Sequence, residues 1–331
     1  MYVAPEIAEF VTDRFLLLVL ALLVEAVVGE VAWLFRAIPH PRRLLQGLAA
    51  FLGRRLNREK RGPRDLVVRG AIVVLAVLGV AVGAGWAMAE FAATLRTGWA
   101  IELACVVILL GQRRAYREAL AVPRAMARDG LSGGRDAAAA FGRVDSESLD
   151  EHGLCRAAIE RLAMGLLAGA AAPAFWYLLL GLPGLMFYTA AGALGAVIGG
   201  PGERFERFGV AAARLIEAAD WIPARLAGLA LVVASLFAPT AGPIQAWRTM
   251  WRDPRRRRGR DLPVAAMAGA LALQLGGPKG VGGESHAAIW IGAGDPRATA
   301  RDVHRAGLLF GIACVVQALA IAGLAVLRLA A

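Results

Sequence analysis

The sequence predicts an all-α, polytopic membrane protein with five to seven helical spans and a cytoplasmic amphipathic helical insertion. Three observations lead to this fold class: a composition too apolar for a soluble domain, several long apolar runs, and clusters of arginine between them. Of the 331 residues, 58% are hydrophobic and 19% are charged, and the mean hydropathy is +0.56. Soluble domains have about 25% charged residues, so this chain is expected to expose apolar surface to lipid.

Apolar runs that can cross a bilayer define the individual spans. A helical span needs about 20 mostly apolar residues, because the hydrocarbon core is about 30 Å thick. The run 99–110 is shorter, but it follows the run 70–95 after the break Arg96–Gly98, so the two are predicted to form a helical hairpin. The marginal run Ile222–Phe237 is interpreted as a surface or re-entrant helix. The predicted spans, within a single membrane domain of residues 1–331, are 15–34, 70–95, 99–110, 162–181, 183–199 and 308–329.

The basic residues predict the orientation of the chain in a bacterial inner membrane. The sequence has 37 Lys and Arg against 26 Asp and Glu, and the cations cluster in segments that connect the apolar runs. Cytoplasmic loops carry an excess of Lys and Arg, which places these segments in the cytoplasm. A basic excess also suits nucleic acid, but the sequence has no compact module with aromatic platforms or a groove-reading helix, so no nucleic-acid partner is expected. The predicted cytoplasmic segments are 36–69, 113–161, 201–221 and 239–305.

The second cytoplasmic segment contains the amphipathic insertion. Apolar residues recur at helical spacing over Ala115–Arg128 with polar residues between them, which predicts a helix for the membrane surface or for a protein face. Glycines within 129–134 predict a turn, and a short helix is expected over Asp136–Phe141. Asp150 and Glu151 then open the helix that leads into the next span, with acids in its first turn as the helix dipole favours.

Four acidic residues lie inside the predicted spans, where a carboxylate is energetically unfavourable. Glu25 lies near the middle of the first span and Glu30 near its end, and Glu90 and Glu102 lie in the next two spans. A carboxylate at the centre of a span costs about 2.5–3.5 kcal/mol on insertion scales, so each should face a partner, a cavity or the interface. An interfacial position suits Glu30 and Glu102, whereas Glu25 is the strongest candidate for a functional carboxylate.

The histidines, cysteines and glycines leave several interpretations open. The three cysteines lie far apart and the four histidines share no metal-ligand spacing, so no metal site is predicted. His40 is either a solvated loop residue or a site residue. The glycine-rich segment 276–284 is either a flexible loop or a set of amides that receives an anion. It lacks the spacing of a nucleotide-binding P-loop, so the sequence itself indicates no cofactor.

Many short motifs occur in a fixed order along the chain, among them L-D-E, R-A-x-x-E, A-P-x-F-W and A-M-A-G-A-L. Taken together they resemble the motifs of the CobD/CbiB family, membrane proteins of cobalamin biosynthesis, nearly from end to end. The positions that carry the resemblance are Glu25, Gly29-Glu30, His40-Pro41, Gly47, Leu56-Asn57, Gly142-Arg143, Asp145, Leu149-Asp150-Glu151, Arg156 to Glu160, Ala172 to Trp176, Glu203-Arg204-Phe205, Phe208-Gly209, Asp220 to Leu226, Ala266 to Leu271 and Leu275-Gly276-Gly277.

The resemblance implies an activity, partners and site residues. Members of the family attach aminopropanol, or its phosphate, to cobyric acid, which gives cobinamide (the adenosylcobinamide-phosphate synthase reaction). The implied partners are the corrinoid, the amine, membrane lipid, a second copy of the chain and other cobalamin-pathway proteins, and the implied cofactors are ATP and Mg²⁺. The candidate residues are Glu25, His40 and Glu160 for catalysis, and Glu30, Asn57, Arg143, Asp145 and Arg204 for ligand binding.

The chain also departs from the family pattern at polar positions. Where the family has S-x-A-E-N and then D-G, this chain has Arg161–Gly165 and Ala168-Gly169, and Gly192–Gly200 and Arg255–Ala265 replace two further polar motifs. Amide formation needs groups that hold anions, move a proton and stabilise an oxyanion, which apolar side chains and glycine do not supply. The alternative is therefore a catalytically silent paralogue that acts as a membrane scaffold or regulatory partner. A small-molecule transporter is a third hypothesis, which rests only on the polar groups in the spans.

Overall fold

A computed structural model of the chain describes residues 13–29, 40–57, 62–142, 145–200, 205–253, 259–277, 279–281, 284–286 and 289–330. These residues group into two compact units. The described residues of Met1–Leu110, Ala172–Asp220 and Leu324–Ala331 form unit 1, and those of Gly111–Ala171 and Trp221–Gly323 form unit 2.

Helices form nearly all of the regular secondary structure in the described ranges, which confirms the predicted all-α class. The exceptions are short antiparallel strands in the glycine-rich region, which the sequence did not predict. The elements in chain order are α1 (Arg14–Val28), α2 (Pro41–Leu56), α3 (Pro63–Ala93), α4 (Gly98–Leu109), α5 (Gln112–Ala139), a 3₁₀ turn (Ser146–Ser148), α6 (Glu151–Leu166), a π-helical turn (Leu167–Ala171), α7 (Ala172–Leu180), α8 (Leu182–Val197), α9 (Val210–Ala219), α10 (Trp221–Ala234), α11 (Pro243–Arg252), α12 (Leu262–Leu271), β1 (Leu275–Gly276), β2 (Lys279–Val281), β3 (Glu284–His286), β4 (Trp290–Ile291) and α13 (Ala300–Ala330).

The core of unit 1 forms where α8 packs against α2, α3 and α9. Small side chains in this core allow the helices to approach closely, as in membrane helix bundles. At Gly85 of α3, for example, a Cβ atom would lie 2.9 Å from the carbonyl oxygen of Leu182, so no larger residue fits there without movement. The buried residues of this core are Leu45, Ala49, Val73, Val74, Val77, Ala81, Ala190, Ala193, Leu194, Ile198, Phe208 and Ala212.

Unit 2 is built from two closely packed groups of helices. In one, α5 packs along α6, and in the other α12 lies against α10 and α11. Close approach again depends on glycine: a Cβ atom on Gly269 of α12 would lie 2.8 Å from the Cα atom of Ala246 in α11. Every residue of α12 is buried, so this short apolar helix is the centre of its group.

Three helical stretches in the described part of the chain are long and apolar enough to cross a membrane: Arg64–Ala93, Glu151–Leu180 and Ala300–Ala330. They contain most of the predicted spans 70–95, 162–181 and 308–329, as expected for a multi-pass membrane protein. The remaining predicted spans correspond to shorter helices of 12 to 16 residues, namely α1, α4 and α8. The predicted total of five to seven spans stays a prediction.

The amphipathic insertion has the predicted helices but a sharper turn between them. Within α5 the backbone is non-helical only at Gly130, where φ is 65° and ψ is −153°, a conformation that favours glycine. The predicted turn over 129–134 is therefore a single-residue kink, and helical residues resume directly after it. The helix start predicted at Asp150 is confirmed, because its Oδ1 accepts a hydrogen bond of 2.7 Å from the backbone N–H of Gly153.

Candidate functional site

One face of α6 in unit 2 carries three polar side chains at four-residue intervals: His152, Arg156 and Glu160. Residues spaced by four share a helix face, so these side chains form one row. Each bonds to the backbone of the segment that follows α12. Glu160 Oε1 accepts from the N–H of Gly276 at 2.7 Å, and Arg156 Nη1 donates to the carbonyl oxygen of Pro296 at 2.6 Å.

A hydrogen bond to the backbone determines the tautomer of His152, the third member of the row. Its Nδ1 lies 2.9 Å from the carbonyl oxygen of Ala298, and because a carbonyl oxygen only accepts, Nδ1 carries the proton. The row therefore binds the segment at Gly276 and, about 20 residues later, at Pro296 and Ala298. We call this arrangement the α6 row.

Arg156 has an N–H group that makes no hydrogen bond among the described residues. Its guanidinium lies over the ring of Trp290, with 5.2 Å from Cζ to the ring centroid, and its Nε–H is buried without a hydrogen-bond partner among the described residues. A buried N–H group without a partner is costly, and a guanidinium binds anions such as a carboxylate or a phosphate. The sequence motif R-A-x-x-E contained Arg156, but the candidate residues did not include it.

The segment that the α6 row binds has a defined backbone. Strand β1 pairs antiparallel with β4, and Gly276, Gly277 and Gly292 have φ values of 85°, 81° and 101°. Asp253 Oδ2 accepts a hydrogen bond of 2.7 Å from the N–H of Gly292 and also pairs with Arg252, which raises the pKa of that arginine. The described residues at the start of the segment thus have defined backbone contacts, and the two interpretations of 276–284, a flexible loop or a set of amides that receives an anion, stay predictions.

A partly buried ion pair lies beside the α6 row. Arg161 donates to Glu118 Oε2, with Nη2 at 2.6 Å and Nε at 2.8 Å, and Arg114 contacts Oε1 of the same carboxylate at 2.7 Å. Glu118 is on α5, so this cluster joins α5 to α6. Sequence reasoning named Arg161 only as a departure from the family pattern, and its role in packing the two helices was not apparent.

The candidate residues of unit 1 lie in α1 and at the two ends of α2. Glu25 is fully buried on α1. His40 caps α2: its Nδ1 accepts from the N–H of Arg42 at 3.1 Å, and its Nε2 donates to the carbonyl oxygen of Ile108 at 3.1 Å. Asn57 is the C-terminal cap of α2. A helix of 16 residues is about 24 Å long, so His40 and Asn57 do not contact the same small ligand.

Of the four remaining candidates, only Asp145 lies in the part of the chain that the structure describes. Asp145 precedes the 3₁₀ turn, and its carbonyl oxygen accepts a hydrogen bond of 2.9 Å from the hydroxyl of Ser148. Glu30, Arg143 and Arg204 lie outside the described residues. In the described part of the chain, no group of three or more His, Cys, Asp or Glu side chains could hold a metal ion.

Two other carboxylates of unit 1, one within α4 and one directly after α9, have tyrosine partners. Tyr177 donates to Glu102 Oε1 at 2.8 Å, and Tyr188 donates to Asp220 Oδ1 at 2.9 Å. Asp220 is fully buried. The expectation that Glu102 needs a partner or an interface is met by the hydroxyl of Tyr177, which the sequence did not reveal because the two residues are 75 positions apart.

The comparisons with known proteins give the family. The model of the CobD/CbiB protein family matches residues 18–310. The chain belongs to the CobD/CbiB family. It is 35% identical to the cobalamin biosynthesis protein CobD of Sinorhizobium sp over 308 residues, which cover 92% of this chain and 95% of that protein. It is 36% identical to the protein of the same name from Brucella melitensis over 302 residues, 90% of this chain and 92% of the relative. No solved structure matches the chain.

Two departures from the CobD/CbiB pattern occur where helices touch. Gly165, which stands where the family has asparagine, faces Ala115 of α5 so closely that its own Cβ would overlap the Cβ of that alanine. Gly169 keeps the family glycine but not the preceding aspartate, and its carbonyl oxygen accepts a hydrogen bond of 2.9 Å from the N–H of Gly111. At Gly165, therefore, a close contact between α5 and α6 occupies the space that a larger side chain would need.

Proposed function

We propose that this CobD/CbiB protein acts at a bacterial inner membrane and joins aminopropanol, or its phosphate, to cobyric acid by an amide bond. The observation that carries the proposal is the α6 row, in which the guanidinium of Arg156 lies over the ring of Trp290 and its buried Nε–H has no hydrogen-bond partner among the described residues. A corrinoid acid supplies a carboxylate, and a phosphorylated amine supplies a phosphate. Both are anions that a guanidinium recognises through charge and hydrogen bonds.

The α6 row also contains a group that could accept a proton. In amide formation the amine nitrogen bonds to the carboxyl carbon and one carbon–oxygen bond of the carboxylate breaks. Overall, that oxygen and two protons of the ammonium group leave as water, or the oxygen leaves on a phosphoryl group when the acid has first been activated. Glu160 lies one turn from Arg156 on the same face, and residues at this spacing have Cβ atoms about 6 Å apart. We assign Arg156 to holding the anion and Glu160 to taking the proton of the amine.

ATP and Mg²⁺ are proposed cofactors by family resemblance alone. Mg²⁺ with ATP needs one or two protein carboxylates, and phosphate and water complete its coordination. The described residues show no P-loop spacing and no cluster of metal-ligating side chains. We therefore assign no step of the reaction to a metal or a nucleotide.

The unit 1 candidates have different proposed roles. Glu25 is a fully buried carboxylate in an apolar helix, and ionisable residues in such positions are rare and commonly functional. We propose Glu25 as a further site residue. His40 uses both ring nitrogens to hold α2 and the end of α4, so we propose a positioning role for it rather than a catalytic one.

Complementation of a bacterium that lacks its own family member tests the proposal. The wild-type gene should restore growth without added cobalamin, and Arg156→Gln and Glu160→Gln should not. Two exposed residues provide matched controls: Arg297→Gln in the bound segment and Glu151→Gln at the start of α6 should both complement. Immunoblots of the membrane fraction should show equal amounts of each variant. Full growth with Arg156→Gln would contradict the assignment.

The second candidate function is a catalytically silent scaffold or regulatory partner. Its support is Gly165, because the contact with Ala115 leaves no room for the side chain that the family carries there. On this hypothesis the wild-type gene fails to complement, and the chain co-purifies in mild detergent with another cobalamin-pathway protein. A second CobD/CbiB gene with intact polar motifs in the same genome would favour it further. Complementation by this chain alone would exclude it.

A further inference from the structure

Helix α11 in unit 2 has two opposite faces, one buried and one exposed. Ala246, Thr249 and Met250 are buried, which is the face that packs against the rest of unit 2. Successive residues of a helix are rotated by about 100°, so residues 244, 247 and 251 lie together on the other side. These residues are Ile244, Trp247 and Trp251, and their exposed fractions are 61%, 47% and 43%.

The exposed face of α11 combines an aromatic ridge with positive charge. The rings of Trp247 and Trp251 contact each other edge to face, with 5.7 Å between their centroids. Arg248 and Arg252 are also exposed and lie beside this ridge. We call Ile244, Trp247, Arg248, Trp251 and Arg252 the Trp–Arg face. Large exposed aromatic side chains next to arginine are typical of helices that lie in the membrane interface.

The position of α11 relative to α13 places it at the level of a membrane boundary. No charged residue occurs between Arg305 and Arg328 of α13. This apolar stretch of 22 residues has a length of about 33 Å, close to the thickness of a hydrocarbon core, so Arg305 marks one boundary. Arg305 makes two hydrogen bonds to Thr240. Its Nη2 donates to the carbonyl oxygen at 2.9 Å, and its Nε donates to the hydroxyl Oγ1 at 3.1 Å.

The chain from Thr240 to α11 is short. The helix begins at Pro243, and three residues span at most about 10 Å. The N–H of Gly242 also donates to the carbonyl oxygen of Ala270 at 2.8 Å, which fixes the start of the helix on α12. Leu236 and Phe237, which come just before Thr240 in sequence, are strongly exposed apolar residues. The start of α11 therefore lies near the boundary that Arg305 marks.

We propose that the Trp–Arg face binds the surface of an anionic phospholipid leaflet, with the tryptophans at the edge of the hydrocarbon and Arg248 among the phosphates. The sequence that follows α11 adds Arg255, Arg256, Arg257 and Arg258, so the region has a large excess of positive charge over Asp253. Anionic lipids are concentrated in the cytoplasmic leaflet, which agrees with the predicted cytoplasmic position of this segment. The proposal does not depend on the proposed enzymatic function.

Quenching of tryptophan fluorescence tests the proposal with the full-length protein in lipid vesicles. One set of vesicles carries phosphatidylglycerol and phosphatidylcholine brominated close to the glycerol end of the acyl chain, and a second set carries bromine near the chain end. The chain has eight tryptophans, so the contribution of the face is measured as the difference in quenched fluorescence between wild type and the double variant Trp247→Phe, Trp251→Phe. This difference should show strong quenching by the shallow bromines and weak quenching by the deep ones.

The charge is tested by the lipid composition and by one matched pair of variants. Shallow quenching should weaken in vesicles of phosphatidylcholine alone, and the gain from phosphatidylglycerol should fall in Arg248→Gln but persist in Arg248→Lys. Equal shallow quenching of wild type and the double variant would overturn the proposal, since the tryptophans would then lie away from lipid, in water or against another protein. Equal quenching in anionic and neutral vesicles would overturn the choice of an anionic surface. Size-exclusion chromatography in detergent is the control for folding. Each variant should elute as wild type does, because all the substituted side chains are exposed.

Discussion

The substitution Arg156→Gln tests how the α6 row holds the segment after α12. It removes a charge-assisted hydrogen bond to Pro296, which contributes about 1.5–3 kcal/mol, and a cation–π contact with Trp290, which contributes about 0.5–1 kcal/mol. The total of about 2–4 kcal/mol corresponds to a rise of about 30- to 700-fold in the local opening equilibrium of the segment, since about 1.4 kcal/mol is a factor of ten.

Hydrogen exchange measured by mass spectrometry reads this equilibrium directly. Amides of the peptide 289–299 should exchange faster by that factor in Arg156→Gln, because exchange from a locally opened segment follows its opening free energy. Peptides from α8 in unit 1 serve as an internal reference. The matched control Arg297→Gln, a change at an exposed residue of the same segment, should leave the exchange rates as they are. Unchanged protection of 289–299 in Arg156→Gln would refute the claim that the row fastens this segment.

Three further substitutions test other contacts through thermal unfolding in detergent. Gly165→Asn should lower the free energy of unfolding by about 1–3 kcal/mol, because any side chain at this position overlaps Ala115; an unchanged Tm would show that the helices are not in contact there. Glu118→Gln should destabilise by about 1–2 kcal/mol, since its arginine partners are only partly solvated, and high salt should reduce the difference from wild type. Tyr177→Phe should cost about 1–3 kcal/mol by leaving Glu102 without its hydroxyl donor, whereas equal stability would mean that water replaces the donor.

Local features of the fold were predictable because their causes lie within a few residues. The start of α6 follows from the side chain of Asp150, which accepts a hydrogen bond from a residue three positions later. The break in α5 follows from Gly130, since few other residues adopt a positive φ. The long apolar helices follow from composition, because lipid is the solvent that such a surface requires.

The candidate site was only partly predictable, because its contacts are non-local. The spacing of Arg156 and Glu160 already places both side chains on one helix face. The bond from Arg156 to Pro296 joins residues 140 positions apart, and no periodicity in the sequence signals it. The glycine-rich segment has no strand pattern in its sequence. Its β1 strand forms by pairing with β4, and more than ten residues separate the two strands. In sequence His40 is either a solvated loop residue or a site residue, and only the structure shows that it caps α2.

Amide formation by isolated membranes tests the central claim most directly. Membranes that contain the wild-type chain are incubated with cobyric acid, ATP, Mg²⁺ and aminopropanol or its phosphate, and the corrinoid products are separated by chromatography. The α6 row predicts that wild type and Arg297→Gln form the amide, that Arg156→Gln loses nearly all activity, and that Arg156→Lys recovers part of it through its charge. Wild-type activity in Arg156→Gln, or no amide from the wild-type chain with either amine, would contradict the account.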